Sequence, residues 1–179
     1  MKRLIITLTL AATAVASVAG CGSDDKKAAP KGPEVAWAAK VCDTVNQSTA
    51  KLALPAVSSD VKVYRKNIVT FLDDVASRLK SMEANLQGVG SPPVEGGQAS
   101  VDKALANLRA TRTSLEQARV RLAKVKVENK GALQAEMQKL SKVMAKSATY
   151  HGPADDLKAS NPKLGAAFND AASCKTTKS

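Results

Sequence analysis

Between residues 60 and 87 apolar side chains recur at three- and four-residue steps for four heptads: Val61, Tyr64, Ile68, Phe71, Val75, Leu79, Met82 and Leu86, with Leu72 widening the stripe. That spacing matches the 3.6-residue turn and predicts one amphipathic helix about 40 Å long. Such a helix cannot stand alone, because its apolar stripe has to be covered by other helices. Ser59 or Asp60 can cap its start and Gly88 its end.

Three further segments supply the cover. Residues 34–53 place Trp37, Val41, Val45, Thr49 and Leu52 on one face, and Pro55 stops the run. Residues 99–128 repeat Val101, Leu108, Leu115 and Leu122 every seven residues, with Ala104, Thr111, Ala118 and Val125 alongside. Leu133, Met137, Leu140 and Met144 nearly continue that stripe. Two readings follow, a single helix of fifty residues or a break at Asn129-Lys130-Gly131. The break is preferred, because a straight helix leaves half its apolar face bare. Residues 88–98, GSPPVEGG at their centre, form a loop that the glycines and Pro92-Pro93 keep out of helix. His151-Gly152-Pro153 ends the fourth helix, and Asn161-Pro162 caps a short last one carrying Leu164, Phe168 and Ala171. The expected fold is all-α: an antiparallel four-helix-type bundle with a short C-terminal helix.

The first residues belong to a different kind of segment. Met1-Lys2-Arg3 precede an apolar, small-residue run from Leu4 to Ala19, the order of a secretory signal peptide. The run is short of the ~20 apolar residues of a membrane span. Val18-Ala19-Gly20-Cys21 resembles a bacterial lipobox, in which the cysteine thiol receives a diacylglyceryl group and the chain is cut before it. The chain therefore divides into a signal peptide (1–20), a lipidated flexible tether (21–33), a helical domain (34–175) and a disordered tail (176–179). Two acyl chains hold to a membrane far more firmly than one, since each buried methylene contributes ~0.8 kcal/mol. The expected location is extracytoplasmic, at the outer face of the bacterial cell membrane.

With Cys21 taken by lipid, Cys42 and Cys174 remain, an even pair in an oxidising compartment. Their expected bond ties the first helix to the last. A redox role is the rival, but there is no Cys-x-x-Cys and no basic cluster beside either thiol.

The lipobox cysteine, the tether, Trp37 five residues before Cys42, the GSPPVEGG loop between two long helices and the Leu164, Phe168, Cys174 ending together resemble the small secreted lipoproteins of actinobacteria. The resemblance spans nearly the whole chain. It implies a helical, disulfide-tied envelope domain and brings no catalytic residues with it.

Signals for chemistry are sparse. The single histidine, His151, has Asp155 and Asp156 nearby but lacks the second His or Cys of a zinc site. No Gly-x-Ser-x-Gly is present, and the adjacent carboxylates Asp73-Asp74 and Asp155-Asp156 point about 100° apart on a helix. Neither an enzyme, a metal site nor a cofactor is expected. Met82, Met137 and Met144 lie on apolar stripes, which keeps open a carrier whose core holds a small apolar ligand.

Charge offers the functional argument. The formal charge of +11 falls to +9 once Lys2 and Arg3 are removed. Much of it lies in the third helix, where Arg112, Arg119 and Lys126 stand seven residues apart beside the leucine seam. Such side chains commonly cover a core edge with their stems. As a ridge they suit an anion: lipid headgroups, wall polymer or an acidic protein patch. Nucleic acid is excluded by export and by the lack of interleaved aromatics. The expected function is a non-catalytic binding or structural module of the envelope.

Overall fold

The computed structural model describes residues 32–48 and 53–175. Cys21, its flank Val18, Ala19 and Gly20, and the stripe members Thr49 and Leu52 lie outside these residues. The described chain is all helical, with seven helices and no strand: α1 (Pro33–Ser48), α2 (Val61–Gly88), α3 (Gly97–Lys124), α4 (Lys130–Ala148), α5 (Pro153–Ser160), α6 (Pro162–Asp170) and α7 (Ala172–Lys175).

Local signals fix the ends of α2. The Asp60 carboxylate accepts from the backbone N–H groups of Lys62 (2.8 Å) and Val63 (3.2 Å), which satisfies two donors that a helix start leaves open. At the other end the helix runs through Gly88, and the left-handed turn falls at Gly90, φ 80°. The loop to α3 is tied down from two directions. Trp37 Nε1–H donates to the Gly90 carbonyl at 2.9 Å, and Asn161 Nδ2–H donates to the Glu95 carbonyl at 3.0 Å. Gly97, where α3 begins, is buried against the Pro92 ring, so a Cβ there would collide with it.

α2 and α3 form an antiparallel hairpin. Asp73 meets Arg119 and Glu83 meets Arg109, so ten residues up α2 correspond to ten residues down α3. The heptad positions Val101, Leu108, Leu115 and Leu122 are all buried.

α3 stops at Lys124, earlier than the 128 that sequence periodicity gives. The cause lies on α2. Arg65 Nη1 donates to the carbonyls of Leu122, Ala123 and Val125 at 3.3, 3.1 and 2.7 Å, taking acceptors that have no partner within α3. Val125 is extended and Val127 turns into the core. Asn129 Oδ1 then accepts from the Ala132 N–H at 2.9 Å and starts α4, so the break falls at 125–129.

The C-terminal part is more helical than expected. α5 occupies residues that carry little apolar pattern beyond Pro153 and Leu157, and the last helix is divided into α6 and α7. Asn161 does cap α6, its Oδ1 accepting from Lys163 and Leu164 N–H at 3.0 and 3.3 Å, with Pro162 at the first position.

Buried apolar side chains gather in two clusters. One, at the Gly90 end, joins α1, α5 and α6 with the neighbouring ends of α2 and α3 around Trp37, Val41, Leu164 and Phe168. The other, at the far end, joins α2, α3 and α4 around Ile68, Leu72, Leu122, Leu133 and Leu140. Met82 and Leu108 are buried and belong to neither, and the hairpin register places both between the two.

Cys42 and Cys174 are bonded, joining α1 to α7 across 132 residues of sequence. A closed loop of that length removes about 4–5 kcal/mol of chain entropy from the unfolded state. Asn46 Nδ2–H reinforces the junction by donating to the Ser173 carbonyl at 3.2 Å.

Candidate functional site

The basic third helix is where sequence reasoning places a binding surface, and α2 shapes what becomes of it. The guanidinium of Arg112 lies between Glu116, at 2.6 Å, and Glu83, at 3.6 Å. Glu83 also takes Arg109 at 2.5 Å. Arg119 reaches Asp73 at 3.2 Å. Two of the three expected ridge residues, Arg112 and Arg119, are thus engaged by carboxylates of the same hairpin. Lys126 stands in the 125–129 link, exposed and outside every described ion pair. The three do not share one free face.

These pairs are exposed to differing degrees, Glu83 being the most covered, and those open to solvent contribute about 0.2–1 kcal/mol each. Their larger effect is on register. Asp73 and Glu83 are spaced to meet Arg119 and Arg109, and a one-turn slip would part both pairs. Counting charges along the third helix alone misses this, because the neutralising carboxylates sit on another helix. The matched ten-residue spacing of acids and arginines is the signal that could have found it.

A second network joins α3 to α4. Glu136, mostly buried, accepts from Lys139 at 2.6 Å and from Arg121 at 3.2 Å. The Lys139 ammonium, and then the Arg121 guanidinium, hold its carboxyl below the ordinary glutamate range, with partial burial opposing them.

Near the C-terminal helices, His151 is exposed, and its acidic neighbours are engaged elsewhere. Asp155 pairs with Lys158 at 3.4 Å, and Asp156 accepts from Asn107 Nδ2–H at 3.0 Å. Among the described residues no group of three His, Cys, Asp or Glu side chains is placed to hold a metal ion. Burial, and then Asp156, raise the Tyr150 hydroxyl well above the usual tyrosine range.

One cleft, about 600 Å³, is an open groove between α2 and α3. Ala76 and Val120 give it apolar surface, and Lys80, Glu116, Arg119 and Arg121 surround them. Lysines that the ridge reading did not single out, Lys62 and Lys66, line a second cleft of about 390 Å³ farther along the same two helices. Both clefts open on the hairpin surface, and their floors, at Ala76 and Val69, touch the edge of the far-end apolar cluster.

No family model matches the sequence, and neither a curated protein nor a solved structure shows significant similarity to it.

Proposed function

We propose that this chain is an extracytoplasmic lipoprotein, anchored to the outer face of the bacterial cell membrane through Cys21. Its helical domain acts as a non-catalytic binding module of the envelope. We read the domain as an antiparallel bundle built around the α2–α3 hairpin, in the manner of the small secreted actinobacterial lipoproteins it resembles. The observation that carries the reading is the distribution of its three cysteines. Cys42 and Cys174 are bonded to each other, which favours an oxidising compartment and leaves only Cys21, in Val18-Ala19-Gly20-Cys21, for lipid. Among the described residues no helix is long and apolar enough to cross a membrane, so in this reading the acyl chains alone hold the domain there.

Binding is assigned to the cationic hairpin and not to the apolar interior, because the described clefts are open and lined with charge. An anionic component, whether wall polymer, lipid or protein, is the ligand class the net positive charge favours.

The test is Cys21→Ala expressed in a bacterial host with lipoprotein processing. The parent protein should fractionate with membranes, carry label from an alkyne fatty acid, and yield a diacylated N-terminal peptide by mass spectrometry. Cys21→Ala should lose the label and leave the membrane fraction. Unchanged partitioning of the variant would reject the anchor.

A further inference from the structure

The two clefts on the hairpin follow one another along a single flank. On α2 the lining side chains step from Lys62 through Lys66 and Val69 to Asp73, Ala76 and Lys80, intervals of three and four residues that keep to one helical face. On α3 the lining runs antiparallel, from Ala123 to Val120 and on to Thr113. No residue of α1 or of α4 to α7 lines either cleft. From Lys62 to Lys80 the flank is about 27 Å long.

Its chemistry has two parts. The floor is weakly apolar and recessed, with Ala76 buried, while Val63 (46% exposed) and Val120 (38%) stand open to solvent at its edges. The charges divide unevenly. The two carboxylates in the lining are already engaged, Asp73 by Arg119 and Glu116 by Arg112, and Arg121 is committed to Glu136. Lys62, Lys66 and Lys80 take part in none of the described ion pairs. The uncommitted charge of the flank is therefore positive throughout.

We infer that this flank seats an acidic amphipathic helix of a partner protein. The helix lies along the α2–α3 groove, its apolar stripe over Val69, Ala76 and Val120 and its carboxylates against Lys62, Lys66 and Lys80. A groove between two packed helices accepts a third at the usual interaxial distance of about 8–10 Å, and about 18 residues of helix match its length. Other occupants fit less well. A second copy of this chain would set lysine against lysine. A wall polymer has no apolar face to cover Val63 and Val120, and a flat lipid surface would not reach the recessed Ala76. The inference deepens the binding-module reading and rests on it only for the compartment in which the partner is met.

The test uses the full lipidated chain in neutral phosphatidylcholine nanodiscs. The probe is a fluorescent peptide of about 20 residues, with leucine at helical spacing between glutamates. The expected result is saturable binding that weakens about tenfold or more in a Lys62→Glu, Lys66→Glu, Lys80→Glu variant. It should change less than about twofold in a Lys40→Glu, Lys103→Glu, Lys142→Glu variant, which carries the same net charge away from the groove. A photocrosslinker placed at Val120 should capture the peptide, and circular dichroism should match the parent in both variants. Val120→Asp, a single exposed change, serves as the second groove variant should the triple one not fold. Equal weakening in both triple variants, equal binding of a scrambled peptide, or absence of the Val120 crosslink would each overturn the proposal. So would capture of phosphatidylglycerol vesicles through the three lysines by a protein that ignores the peptide. Failure of the anchor is read separately: peptide binding that persists in a protein found only in the cytosol rejects the envelope assignment and leaves the groove.

Discussion

At the Gly90 end of the α2–α3 hairpin, helices from both extremes of the described chain close over Trp37 and Phe168. At the far end, α4 closes over Ile68 and Leu122. The Gly90 end is made from segments distant in sequence. Its ties are long-range: the Cys42–Cys174 bond, the Trp37 bond to Gly90, the Asn161 bond to Glu95, and the edge-to-face pair of Trp37 and Phe168 at 6.3 Å. The far end is closed instead by α4, which follows α3 directly in sequence, although Arg65 reaches the α3 end from 57–60 residues away. Its polar ties are cations donating to acceptors, Arg65 to the α3 carbonyls and Arg121 and Lys139 to the Glu136 carboxylate. Non-local closure carries a larger chain-entropy cost, and the covalent bond stands where that cost is greatest. The hairpin itself runs through both regions, so opening one end need not open the other.

Removing the disulfide is the strongest way to break this contrast. Cys42→Ser with Cys174→Ser should destabilise the protein by about 2–5 kcal/mol. The loss should be uneven. Native-state hydrogen exchange should show α1, α6 and α7 opening at lower free energy, while amides of α4 and the adjoining half of α3 keep their protection against sub-global opening. Uniform loss of protection across all helices would mean that the two clusters form one cooperative unit.

The same contrast explains what the sequence could and could not reveal. Helical faces were legible, because a period of three to four residues is written into each segment alone. Trp37, Val41, Ile68, Leu108 and Leu164 were expected on buried stripes and are buried. The caps at Asp60 and Asn161 were legible for the same reason, since each acts within three residues. The pairing of Cys42 with Cys174 was expected from the even pair left once Cys21 is assigned to lipid, and the two are bonded. What a stripe does not encode is which helix covers it, so the division into two clusters was not visible. Neither was Arg65 as the terminator of α3, which acts across 57–60 residues of sequence. α5 went unseen because eight residues with one strong apolar anchor, Leu157, give too little pattern. The ridge of Arg112, Arg119 and Lys126 illustrates the same limit, since spacing along one helix is silent about Asp73 and Glu83 on the next.

Arg65 offers a sharper probe of the far end. Arg65→Met keeps much of the aliphatic stem and removes the donors to the last carbonyls of α3. The expected cost is about 1.5–3 kcal/mol, the range for hydrogen bonds made by a charged donor. In a chain of this size each kcal/mol corresponds to about 2–4 °C in Tm. Exchange should rise in residues 120–130 and in α4, with the region around the disulfide unaffected. A Tm equal to that of the parent would assign the end of α3 to Val125 and Val127 alone.

The smallest effect tests whether charge matters at the α3–α4 seam. Lys139 and Arg121 favour the ionised form of Glu136, so its folded pKa lies below the ordinary 4.5. A depressed carboxylate contributes stability that is fully present above the unfolded pKa and fades as pH falls through the folded one. Glu136→Gln resembles the protonated side chain at every pH. The Tm difference between parent and variant should therefore be constant from neutral pH down to about 5, narrow below 4.5, and vanish once Glu136 is protonated in both folded and unfolded chains. High salt should shrink the neutral-pH difference, because both cationic partners reach solvent, Arg121 at 48% and Lys139 at 56% side-chain exposure. A difference that ignored pH and salt alike would mean that Glu136 acts through packing. The far end would then be held by apolar contact with the Arg65 cap, and the contrast with the disulfide-tied end would rest on covalent closure alone.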